Sequence, residues 1–188
     1  MSDDELPSIA GARRLIVVVG PSGAGKDSVL RGWRAVPDAP HFAQRVITRV
    51  PDATESHEAV GPEDFAGLRA QGQLATWWRA HGLDYGVRRS QLEPLARGRW
   101  VVMNGSRAHL PALRAQAPGL RVVEIGAPAH VLAQRLAARA REDAAGRESR
   151  LGRLVDAPVE AELVLINDGE LQRSVDTLVH WWQSLPDV

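Results

Sequence analysis

The single lysine of this chain, Lys26, stands in the run Gly20, Pro21, Ser22, Gly23, Ala24, Gly25, Lys26, Asp27 and Ser28; every other strongly basic residue is arginine. Glycines at this density let successive peptide N–H groups turn toward one point, and the lysine adds a flexible point charge. That combination suits a polyphosphate, with the lysine reaching the β- and γ-phosphates of ATP. In such loops the hydroxyl directly after the lysine binds magnesium. Here Asp27 holds that position and Ser28 the next. Asp27 offers Mg2+ a hard anionic oxygen, directly or through water, or else assists the helix N-terminus; Ser28 can take the metal or cap backbone groups.

A second set of polar residues suits an acceptor. Arg49 presents a planar fork matched to paired phosphate oxygens. Tyr85 can donate its hydroxyl to the same phosphate or pack half-buried in the core. Asn104, Ser106 and Arg107 follow an apolar strand, at the sheet edge where ligands gather. They can bind ribose hydroxyls or a second phosphate, or form a turn with Ser106 as helix cap. Arginines also crowd 135–153, where spacings of three or four align Arg135 with Arg139, and Arg147 with Arg150 and Arg153. Two or three of them, Arg139 and Arg150 foremost, are expected over the ATP phosphates, the rest forming a solvated face beside Glu142, Asp143 and Glu148. Asn167 contacts adenine or belongs to an Asn-Asp-Gly turn. His57 and His81 fall in the acceptor region, where they could hydrogen-bond substrate, but without metal spacing, while His41, His109, His130 and His180 have no supporting constellation. Of Trp77 and Trp78, adjacent on a strand, at most one faces a substrate.

The elements that must position these residues follow from the pattern. Leu15, Ile16, Val17, Val18 and Val19 read as a buried strand and 26–36 as an amphipathic helix, the context a phosphate loop requires. Strands are expected at 42–48, 74–78, 100–103, 120–125 and 162–166, and helices at 62–71, 90–96, 106–116, 128–141, 147–154 and 171–185, with a turn over 82–86 and a loose tail over 1–12. Strands alternating with helices imply a three-layer α/β fold around a parallel sheet. At 188 residues the chain suits a single domain. Lys plus Arg number 23 against 23 Asp plus Glu, so no net charge draws the chain to nucleic acid or an anionic membrane. The absence of cysteine excludes disulfides and thiolate metal sites. No apolar run reaches the roughly 20 residues that span a bilayer, and the acidic start lacks a secretory pattern, so a cytoplasmic location is expected.

On these pieces the chain resembles the guanylate kinase branch of the P-loop nucleoside monophosphate kinases over about residues 14–185. The likeness rests on the 20–26 loop, Thr48-Arg49, Tyr85-Gly86, an arginine-rich lid at about 139–153 and Ile166-Asn167-Asp168 near the adenine, with an acceptor region at about 50–90. There are departures. Asp27-Ser28 replaces Ser-Thr, a second arginine shortly after Arg49 is missing, and Met103-Asn104-Gly105-Ser106-Arg107 stands where an aspartate ends the strand. With Ile47-Thr48-Arg49 and His81-Gly82-Leu83-Asp84-Tyr85-Gly86-Val87, these blocks are similar to the ribose 1,5-bisphosphate phosphokinases of phosphonate degradation. That resemblance implies ATP-dependent phosphorylation of a small phosphorylated sugar, ribose 1,5-bisphosphate, to 5-phosphoribosyl 1-diphosphate, with magnesium. A nucleoside monophosphate kinase and a catalytically silent interaction module are the other two readings; the intact loop with Lys26 argues against the second.

Overall fold

A computed structural model describes residues 7–50, 56–140 and 159–186. The chain divides into two compact units, one of Met1–Val17 with Pro40–Arg121, the other of Val18–Ala39 with Val122–Val188. One sheet has five strands in the order β2-β7-β1-β8-β9. Its members are β1 (Leu15–Val19), β2 (His41–Phe42), β7 (Val101–Asn104), β8 (Arg121–Gly126) and β9 (Leu163–Ile166). The β2–β7 and β8–β9 pairs are parallel. All five residues of β1 are fully buried, as an uninterrupted apolar run demands of a strand covered on both faces.

The other sheet lies within the first unit. It comprises β3 (Arg45–Ile47), β4 (Glu58–Ala59), β5 (Leu74–Ala80) and β6 (Leu83–Arg88), in the order β4-β3-β6-β5. The helix α2 (Pro62–Ala70) starts with proline at its first position, where the missing N–H costs nothing. Val46, Phe65 and Leu74 form a buried cluster, joined by Val60, Leu68 and Trp77. Leu74 and Trp77 share a face despite their odd spacing because the β5–β6 register shifts between Leu74 and Thr76, the signature of a bulge. Gly86 lies opposite Val46 and Trp77. A Cβ there would sit 3.0 Å from Leu74 Cδ1 and 3.3 Å from Phe65 Cε2, so a larger residue would displace the packing.

Two expectations are corrected here. The strand expected over 42–48 is two strands in different sheets. Gln91 Oε1 accepts the Gln44 N–H at 2.9 Å, a side chain taking the place of a ladder partner where the chain changes sheets. The turn expected over 82–86 is mostly strand β6. Only His81 and Gly82 turn, with φ of 58° and 75°. The remaining first-unit helices are α3 (Arg89–Ala96) and α4 (Leu110–Gln116), the latter entered through a 3-10 turn at Arg107–His109.

The second unit holds α1 (Lys26–Arg34), α5 (Ala129–Ala140) and α6 (Leu171–Gln183). Trp33 of α1 meets Trp182 of α6 edge-on, ring centroids 5.8 Å apart. The expected 147–154 helix lies outside the described residues.

Phe65→Ala should cost about 3–5 kcal/mol by emptying the α2 cluster. Denaturant unfolding measures it, and a loss under about 1 kcal/mol would mean that α2 is not held by this contact.

Candidate active site

The phosphate loop is held within the second unit. Gly20, with φ of 148°, passes so close to β8 that a Cβ would fall 2.0 Å from the Ile125 carbonyl oxygen. Gly25 takes φ 85° and ψ 20° as the residue before α1, a left-handed geometry that glycine adopts without strain. Gly25 has no side chain to cap this helix start, and a helix N-terminus is where backbone N–H groups can meet an anion. Lys26 Nζ donates to the Gly20 and Pro21 carbonyls at 2.8 and 3.0 Å. The ammonium is thereby folded over the loop's own backbone. Asp27 and Ser28 occupy the first turn of α1, both half-buried. Among the described residues no group of three or more His, Cys, Asp or Glu could hold a metal. A magnesium carried by substrate phosphates and water needs only one or two protein oxygens, and Asp27 and Ser28 are the candidates for them.

The outer side of the loop is tied down by side chains from elsewhere in the same unit. Asn167 Nδ2 donates to the Ala24 carbonyl at 2.8 Å and its Oδ1 accepts from Ser174 Oγ at 3.1 Å. Arg135 Nη1 lies 3.4 Å from both the Gly23 and Ala24 carbonyls. Arg139 belongs to α5, its side chain outside the described part, and Arg150 lies outside the described residues.

The acceptor candidates belong to the first unit. Thr48 closes the end of β3 onto Asp84 through two bonds, its N–H donating to Asp84 O at 3.1 Å and its Oγ1 accepting from Asp84 N–H at 2.9 Å. Arg49 follows and lines a cavity of about 740 Å³ with Thr48, Glu63, Asp64, Gln71 and Arg88 among its walls. The Arg88 fork is committed there. It grips Glu58 at 2.6 and 2.8 Å and reaches Gln73 at 2.8 Å, and this pairing holds the Glu58 carboxyl below its usual range.

Tyr85 does not line that cavity. Trp77 packs with the α2 cluster and takes the Arg69 guanidinium 3.8 Å above its ring, so Trp78 faces the opposite side of the sheet. There Trp78 is stacked between two rings: Tyr85 at 5.5 Å and 7°, His109 at 5.2 Å and 19°. Arg49 and Tyr85, expected on one phosphate, therefore sit in different surroundings. Asn104 is buried at the end of β7; Ser106 and Arg107, half-buried, open the 3-10 turn, and the Ser106 hydroxyl makes no capping bond.

Three features escaped sequence reasoning. His57, 5% exposed, is bound through Nε2 to the Arg49 carbonyl at 2.8 Å. The Glu58–Arg88 pair joins β4 to β6 across residues 30 apart. His109, for which no constellation was expected, lies 2.7 Å through Nε2 from Thr76 Oγ1, which donates to Gln116 Oε1 at 3.1 Å. Because the threonine's only proton goes to Gln116, His109 must donate from Nε2 in its neutral form. Burial lowers its pKa from 6.5. The one available signal was Thr76 itself, a hydroxyl among the apolar residues Leu74, Ala75, Trp77 and Trp78 of β5. Among the described residues no helix is long and apolar enough to cross a membrane.

No family model matches the chain. Over 168 residues it is 41% identical to a ribose 1,5-bisphosphate phosphokinase PhnN of Rhodopseudomonas palustris, covering 88% of this chain and 87% of that one. It is 45% identical over 162 residues to a bifunctional ribose 1,5-bisphosphokinase-thymidine phosphorylase of Azorhizobium caulinodans; these are 84% of this chain but only 23% of that longer protein. Among solved structures, guanylate kinase from Anaplasma phagocytophilum matches with a TM-score of 0.61 at 18% identity, covering 95% of this chain and 87% of that one. At that identity the likeness speaks for the fold: an α/β P-loop kinase architecture.

The lowered His109 pKa has a signed consequence. Above about 6.5, folded and unfolded chains both carry it neutral; as pH falls through 6.5 the unfolded chain takes up the proton first, so folding stability drops. The drop ends once the pH passes the lowered folded value. Unfolding midpoints between pH 8 and 5 should therefore decline, and His109→Gln, which keeps a donor but does not titrate, should flatten the upper part of that decline. An unchanged slope would exclude His109 as its source.

Proposed function

We infer that this chain, which belongs to the ribose 1,5-bisphosphate phosphokinase family, transfers the γ-phosphoryl group of ATP to the 1-phosphate of ribose 1,5-bisphosphate in the cytoplasm. The products are 5-phosphoribosyl 1-diphosphate and ADP, and the reaction serves phosphonate degradation. The observation that supports it most directly is the loop around Lys26, whose glycine-rich backbone at the start of α1 and whose ammonium match a triphosphate.

The chemistry needs no general base. A phosphate monoester has a second pKa near ~6, so the acceptor oxygen is ionised at neutral pH. It attacks the γ-phosphorus while the bond from that phosphorus to the β–γ bridging oxygen breaks, and ADP leaves with the electron pair. The obstacle is the accumulation of negative charge, so neutralisation and alignment dominate. Lys26 exchanges its loop carbonyls for β- and γ-phosphate oxygens. Asp27 and Ser28 would hold magnesium, which neutralises phosphate charge when bound. Arg139 and Arg150 are assigned to the transferring group. Arg49, Tyr85, Asn104, Ser106 and Arg107 are assigned to the acceptor, and Asn167 to the ATP side.

A base-free acceptor is favoured over a nucleoside monophosphate by the state of the sheet face that carries Tyr85. Trp78 fills it, and Thr76, His109 and Gln116 spend their polar groups on one another and on the Ala75 carbonyl. A site built to read a base edge would keep such donors and acceptors for the ligand.

Mg-ATP offered with ribose 1,5-bisphosphate and, separately, with GMP decides the acceptor. A sugar diphosphate seen by phosphorus NMR is expected with the first; turnover of GMP alone would overturn the assignment. Lys26→Ala should lower kcat by about 10²–10³ in a folded protein. Arg49→Ala should raise the acceptor KM by about 10–100-fold and leave the ATP KM unchanged, the cost of one charge-assisted contact. A selective loss of ATP affinity would instead move Arg49 to the donor side.

A further inference from the structure

A phosphate loop aims its N–H groups at the ligand, which leaves its carbonyls turned elsewhere and in need of partners. Here the Gly20 and Pro21 carbonyls are met by Lys26, and those of Gly23 and Ala24 by Arg135 and Asn167. Of these donors only Asn167 is buried, 3% exposed. The Ala24 carbonyl can only accept, so the asparagine must present its NH2 there and its oxygen to Ser174. Three attachments therefore fix the amide: the Ala24 bond, the Ser174 hydroxyl on α6, and its own main-chain N–H donating to Gly126 O at 2.8 Å at the end of β8. Its Nδ2 would lie 2.4 Å from a Cβ on Gly25, the residue directly before Lys26. The amide thus presses on the backbone at the point where loop becomes helix.

We propose that Asn167 is a positioning residue for the phosphate loop. Through the Ala24 carbonyl it holds the peptide units that carry the Gly25 and Lys26 N–H groups so that these face the triphosphate, the Ala24 N–H being given to the Pro21 carbonyl, and it acts without touching the nucleotide base. Arg135 assists from α5 over longer contacts of 3.4 Å. This role concerns the donor alone and stands whichever acceptor is used.

Calorimetric titration of the full chain with Mg-ATP and with Mg-tripolyphosphate, which has no base, tests it. Asn167→Ala should weaken both ligands about equally, roughly tenfold, as expected for one lost buried hydrogen bond. The stoichiometry should stay at one, since a merely unstable fold would lower the binding fraction rather than the affinity. In steady state the ATP KM should rise while the acceptor KM holds. Loss of ATP affinity with tripolyphosphate binding intact would overturn the proposal in favour of a base contact; normal binding of both would overturn it outright. Should Asn167→Ala not fold, Ser174→Ala reads the same point. It should weaken tripolyphosphate about two- to threefold through loss of the bond that orients the amide, and unchanged affinity there would also overturn the proposal.

Discussion

Everything assigned to this chain depends on a backbone held in a shape it would not keep alone. Gly23 and Gly25 adopt left-handed geometry and Gly20 lies against the Ile125 carbonyl, so the loop has little intrinsic stiffness. Its rigidity is borrowed. Asn167, Ser174 and Arg135, more than a hundred residues downstream, supply the hydrogen bonds that glycine cannot. An anion site made of peptide dipoles is effective only if those dipoles are already aimed when the ligand arrives, because aiming them afterwards consumes binding energy. The bonds to the Gly23 and Ala24 carbonyls come from outside the loop.

The first unit follows a different logic. There a four-stranded sheet uses its two faces for separate tasks, and the bulge in β5 keeps the division clean by returning Trp77 to the side of Leu74. One face packs α2. On the other, Trp78 lies between Tyr85 and His109 while the nearby polar groups satisfy one another. A buried hydroxyl or imidazole without a partner would be costly, so this network stabilises the face.

What the sequence disclosed was local. The five apolar residues of β1, the glycine loop and the start of α1 at Lys26 lie within twenty residues, and each signal reinforces the next. The fold class followed from the alternation of elements, and the chemistry of the loop from residue types at short spacing. What stayed hidden depended on distant partners. The 42–48 segment is apolar enough for one strand, and it is Gln91, nearly fifty residues on, that takes the Gln44 N–H where the sheets part. Gly86 looks like a turn glycine, yet its smallness answers to Leu74 and Phe65. His109 had no sequence neighbour to suggest a role; Thr76 and Gln116 give it one.

The same distinction bears on why so few side chains here look like acids or bases. When the nucleophile is already an anion, an enzyme gains little from a proton acceptor and much from fixed positive charge. His57 and His109 are accordingly engaged with the protein, one on the Arg49 carbonyl and the other on Thr76. Lys26 shows the complementary arrangement. Its ammonium rests on the Gly20 and Pro21 carbonyls of its own loop. In the proposed reaction phosphate oxygens would take the place of those carbonyls, adding attraction between opposite charges to a bond that is already charge-assisted. With both bonds made inside the loop, the charge of the chain's single lysine has partners where it stands, which lowers the cost of holding it there.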